Sequence, residues 1–194
     1  MNFYFAPFSR LVHFRSGRFA VVLGLAACAL LAGTGAWSQT VREQLGLLGM
    51  THERLGAQLK DIQPVHAPRR LSSGALGSWR VPDTLCEGVH FEQTLFFVRQ
   101  KLVQMDLMPI GGEHHLASDD PASVANAYAR LVLSLRAQFG AELASSASTP
   151  ELVMDTASWV TGSADVVLFR SGKPDHSTLR LVIRQRQLVN AGEL

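Results

Sequence analysis

The densest set of side chains able to hold a metal is Glu113-His114-His115 followed by Asp119 and Asp120, just before a long amphipathic segment. A structural zinc site needs four converging ligands, and adjacent side chains in extended chain point to opposite sides. Asp120 is also placed to cap the segment that follows it. The set is therefore expected to be a solvated polar loop, and no metal ligand is assigned. His52-Glu53 opens like the helix motif of zinc proteases, whose second histidine stands four positions after the first. Gly56 holds that position here, so the motif is incomplete.

Nucleophiles fare no better. Cys86 and His90 lie four residues apart across the turn-forming Glu87-Gly88, a spacing that does not fix a thiol against a base. Cys86 is expected to be a small buried hydrophobe. Serines cluster in Ser72-Ser73-Gly74 and Ser145-Ser146-Ala147-Ser148 without the Gly-x-Ser-x-Gly elbow of a hydrolase. Phosphate-cradling and dinucleotide glycine motifs are absent from the sequence. His66, His90 and His176 are scattered. No catalytic residue and no cofactor is assigned. Arg69-Arg70, with Arg80, is read as an exposed basic set serving solubility, with contact to an acidic partner as the alternative. Trp79 and Trp159 are read as core aromatics.

The elements that must position these residues follow from periodicity. Val124, Ala127, Tyr128, Leu131, Leu135 and Phe139 recur at three- and four-residue spacing, predicting an amphipathic helix over 121–139. Pro121 suits its first position and Gly140 its stop. Two shorter helical pieces, 41–48 and 51–60, are broken at Gly49, and Thr51 can cap the second. Strands are predicted at 78–81, 89–99 and 101–108, then at 157–161, 165–170 and 178–188. Turns are predicted at Pro82-Asp83, Glu87-Gly88 and 171–175. In the last strand Leu179, Leu181 and Ile183 alternate with Arg180 and Arg184, the pattern of a sheet with one buried and one wet face.

Leu55, Ala57-Gln58-Leu59 and Ser78-Trp79 recur as Leu135, Ala137-Gln138-Phe139 and Ser158-Trp159, displaced by 80 residues. A second echo, near a displacement of 84, sets Thr94-Leu95 against Thr178-Leu179. The expected fold class is α+β: two helix-plus-antiparallel-β-hairpin units in tandem, 39–109 and 110–194, with helices packed on a sheet. Units of that size without disulfides have marginal cores, which favours pairing them.

Residues 1–38 read as a signal peptide: Arg10, Arg15 and Arg18 precede an uncharged apolar run over 19–31. That run falls short of the roughly 20 residues of a spanning helix. Cleavage is expected after Ser38, with acylation of Cys28 in Leu25-Ala26-Ala27-Cys28 or a retained leader as the alternatives. The leader carries three of the 18 basic residues and none of the 16 acidic ones. The remainder has one net negative charge, so nucleic acid is not an expected partner.

Gly49-Met50-Thr51, followed by Glu53, Leu55 and Leu59, resembles the start of the first helix in the SmpA/BamE family of small envelope proteins. The helix-then-sheet order is similar to the β-lactamase-inhibitor-protein-like tandem unit. The resemblance implies a non-catalytic envelope module that docks onto other proteins. The expectation is a periplasmic protein without a membrane span after leader cleavage, binding an envelope protein or ligand on an exposed sheet face or at loops 62–77 and 109–118. An envelope hydrolase with a composite site and an inner-membrane-anchored accessory protein are the alternatives.

Overall fold

The computed structural model describes residues 39–111, 121–146, 148–149 and 151–186. All of them belong to one compact unit, Ala36–Leu194. Two short helices, α1 (Val41–Leu45) and α2 (His52–Gln58), precede strands β1 (Gln63–Arg70), β2 (Leu76–Cys86), β3 (Val89–Val98) and β4 (Lys101–Pro109). The long helix α3 (Pro121–Phe139) precedes β5 (Ala144–Ser146), β6 (Val153–Thr161), β7 (Ala164–Lys173) and β8 (His176–Gln185). The strands form one eight-stranded sheet in the order β1-β2-β3-β4-β8-β7-β6-β5. Every neighbouring pair is antiparallel.

This corrects the expected α+β pair of helix-plus-antiparallel-hairpin units. The protein is dominated by a single sheet, and four strands follow each helical region. Two of the differences lie at prolines. Pro82-Asp83 is not a turn: β2 runs through it, with a register shift against β3 between Val81 and Thr84, because a bulge absorbs a residue that has no N–H to give the ladder. The stretch 62–77, expected to be a loop, contains β1, an edge strand where Pro64 and Pro68 are tolerated beside a register shift between Pro64 and Arg69. The echo at displacement 84 matches β3 to β8, which occupy different places in the strand order.

Tight turns join the strands. Arg99 and Gln100, at φ 48° and 65°, form the two-residue link between β3 and β4. Glu87 and Gly88, at φ 51° and 74°, do the same between β2 and β3. Positive φ at both central residues matches the twist of paired strands.

All three helices cover the same sheet face. On α3, Val124, Ala127, Leu131 and Leu135 are buried, packing over β6, β7 and β8. Gly140 ends that helix at φ 84°, its N–H bonded to the Arg136 carbonyl. On the other half, Val41, Leu47 and Leu55 join the core with Leu95, Phe97 and Met105. Thr51 stands at the N-cap of α2 without a side-chain cap bond; the Gly49-Met50-Thr51 turn is held instead by backbone bonds to β4, Gly49 N–H to the Leu102 carbonyl at 2.7 Å and Leu102 N–H to the Met50 carbonyl at 2.9 Å. Glu87 ties the two helical regions together, accepting from the Val41 N–H at 2.8 Å and Gln138 Nε2 at 2.7 Å and from the Ser134 hydroxyl. Among the described residues no helix is long and apolar enough to cross a membrane.

Candidate functional site

The sheet face away from the helices is open, and its register places Asp106 near the middle. Asp106 on β4 pairs with Thr94 on β3 and Val182 on β8. Its side chain is only 4% exposed. A carboxylate so buried needs compensation, and three side chains provide it. Gln104 Nε2 donates to Oδ1 at 2.7 Å. Arg69 Nη2 donates to Oδ2 at 3.0 Å, and Arg180 Nη2 donates to the same oxygen.

The Arg69 contact requires a curled sheet. Arg69 is on β1, three strands from β4, which in a flat sheet is about 14 Å across the ladder. An arginine and an aspartate together do not reach that far. The sheet curls so that β1 leans over the open face, and the register shift in β1 is the local device. Gly77 makes room at the centre: a Cβ there would sit 2.7 Å from Phe96 Cε1. Phe96 is fully buried although it lies on the open side, because Arg69 stands over its ring at 5.3 Å from the centroid.

The result is a groove of about 560 Å³, lined by Arg69 and Arg180, by Phe96, Met108 and Phe169, and by the hydroxyls of Thr94, Ser171 and Thr178 among others. That volume is in the range of small-molecule sites. On the same face Arg80 pairs with Glu92 at 3.3 Å and Arg184 with Asp165 at 3.2 Å.

The residues singled out in the sequence mostly lie elsewhere. Glu113, His114, His115, Asp119 and Asp120 fall outside the described residues, as do 112–118 of the expected 109–118 loop. Among the described residues, no three His, Cys, Asp or Glu side chains group as metal ligands. His52 stacks on Phe97 at 3.8 Å between ring centroids and lies 5.5 Å from Trp79. Its Nε2 is buried without a partner, and burial lowers its pKa. Cys86 is fully buried on the helix side, its thiol pushed up to about 12 by burial and then by Glu87 and Glu43. His90, opposite Leu85 in the ladder, points to the open face and meets Asp83 at 2.8 Å. Cys86 and His90 are therefore on opposite faces.

Trp159 is 1% exposed and donates Nε1–H to the Gly140 carbonyl at 3.0 Å, whereas Trp79 is half-buried beside His52. Arg69 and Arg70 belong to β1 rather than a loop, and Arg70 donates to the Gly74 carbonyl at 2.8 Å. Sequence reasoning missed Asp106, Arg180, Phe96 and Phe169 as a group. A lone carboxylate in the apolar run Met105-Asp106-Leu107-Met108 was the available signal. In comparisons with protein families, curated proteins and solved structures, nothing matches this chain.

Proposed function

We propose that this chain is a non-catalytic binding protein of the bacterial periplasm that receives an envelope ligand or protein on the open face of its sheet. One observation carries the reading: a buried carboxylate, Asp106, holds two arginines side by side in a groove with aromatic and hydroxyl walls. Mixed apolar and polar lining around a fixed charge is the make-up of a recognition site. The basic-then-apolar leader over 1–38 supports export, and the Gly49-Met50-Thr51 likeness supports an envelope role.

The test uses Thr178→Trp, which fills the groove from an exposed strand position without entering the helix-side core. The protein isolated from the envelopes of producing cells is compared with this variant by native mass spectrometry. A bound species retained by the parent and lost from the variant is expected. Equal recovery from both, or nothing bound to either, overturns the reading.

A further inference from the structure

We infer that the groove binds a small amphipathic carboxylate, a single acyl chain whose headgroup engages Arg69 and Arg180 while the chain lies against Met108 and Phe169. The inference rests on the open-face reading above and adds the chemistry of the ligand.

Charge comes first. Two guanidiniums share one carboxylate, and Gln104 contributes none, so the centre of the groove carries one uncompensated positive charge. The neighbouring Arg80–Glu92 and Arg184–Asp165 pairs are internally neutral. A monoanion brings the centre to two positive and two negative charges. A dianionic phosphate monoester would leave a net negative charge in a half-enclosed site, where imbalance is costly.

Donor geometry agrees. Each guanidinium has five N–H donors in a planar fork, and each gives only its Nη2 to Asp106. Among the described residues the remaining donors of Arg69 and Arg180 have no protein acceptor. Because both Nη2 atoms meet the same oxygen, the two forks are held adjacent before any ligand arrives. Such preorganisation removes the cost of gathering like charges during binding.

The walls select the rest of the molecule. Met108 is 48% exposed and Phe169 is half-buried, so apolar surface beside the arginines is in contact with water and gains from being covered. Thr94, Ser171 and Thr178 offer hydroxyls beside the headgroup position. A peptide would gain affinity from backbone pairing with a strand, but the floor strands β3, β4, β8 and β7 are already paired on both sides. The nearby free edge, β1, carries Pro64 and Pro68. These features favour a small molecule over a polypeptide.

The full chain is titrated calorimetrically with dodecanoate below its micelle concentration, with dodecylammonium, and with an acidic peptide of glutamate and phenylalanine. One dodecanoate per chain is expected, with no binding of the cation. Arg69→Gln and Arg180→Gln are each expected to weaken dodecanoate by about tenfold or more, the loss of one charge-assisted contact. Phe169→Ala leaves the ion triad intact and is expected to weaken dodecanoate more than octanoate, which keeps the test sound if an arginine variant misfolds. Equal binding of dodecanoate and dodecylammonium, arginine variants that bind like the parent, or an acidic peptide that binds where dodecanoate does not, each overturns the inference. If dodecanoate is silent while Thr178→Trp still strips the species isolated with the parent, the ligand class falls and the open-face reading stands. If Thr178→Trp changes nothing, both fall.

Discussion

Replacing Asp106 with asparagine tests whether the ion triad holds the curl of the sheet. Asparagine keeps the shape but carries no charge and offers one acceptor oxygen; with that oxygen toward the two arginines, its amide N–H groups face the Gln104 donor. Removing one partner of a buried ion pair costs about 3–5 kcal/mol. Here the released cations are partly solvated, with Arg69 60% and Arg180 36% exposed in the side chain. Water recovers part of that loss, so the expected destabilisation is about 2–3 kcal/mol. Followed by the fluorescence of Trp79 and Trp159, this lowers the urea midpoint by about 1–2 M. Arg180→Gln and the double variant complete a cycle, in which a coupling above about 1 kcal/mol is expected for residues in direct contact. A loss under about 0.5 kcal/mol, or additive single changes, refutes the idea that Asp106 organises the open face.

Three further outcomes follow from the geometry. His52 has a lowered pKa, so its neutral form is the one the fold accommodates; its stabilising share is present above the unfolded value near 6.5 and is lost as pH falls through 6.5 toward the folded value, a slope in unfolding free energy that His52→Gln should flatten. Gly77→Ala drives a Cβ against the Phe96 ring and should cost about 1–3 kcal/mol in chemical unfolding, as overpacking does, with Gly56→Ala, where an added Cβ meets nothing within 4 Å, as a comparison free of that clash. Cys86, fully buried with its thiol near 12, should react with a thiol reagent only at the rate of unfolding; rapid labelling of the folded protein at neutral pH contradicts its placement.

Legibility tracked the range of the interactions involved. Helix α3 is set by local signals, the apolar stripe from Val124 to Leu135 with Pro121 and Gly140 at its ends, and its bounds coincide with those predicted. The turn at Glu87-Gly88 was equally local. Helix α1 was only half legible: Val41 is buried as its stripe suggests, but Gln44 is buried as well. It reaches Gln93, 49 residues away, which donates Nε2–H to its Oε1 at 2.7 Å. No spacing rule pairs two glutamines across that separation. Strand β1 was lost to its prolines, and β5 to its length of three residues.

The site was illegible for a more specific reason. Strict alternation along β4 puts Leu102, Gln104, Asp106 and Met108 on one side, which mixes a fully buried leucine with two polar side chains and assigns no face to either set. The ladder resolves this with a register shift: Phe97 pairs with Leu102, but Phe96 pairs with Gln104, leaving Val103 as the extra residue. One inserted residue reverses facing for everything beyond it. Leu102 therefore packs under the helices, while Gln104 and Asp106 turn to the open face and meet Arg69 and Arg180, 37 and 74 residues from Asp106 in sequence. Strand β8 did show Arg180 facing water, as its alternation predicted, but a wet face becomes a groove only when the sheet curls. The contact that spans that curl is made by a carboxylate whose direction is set by the β4 bulge, so the device that hides the site from a pattern reading is the one that builds it.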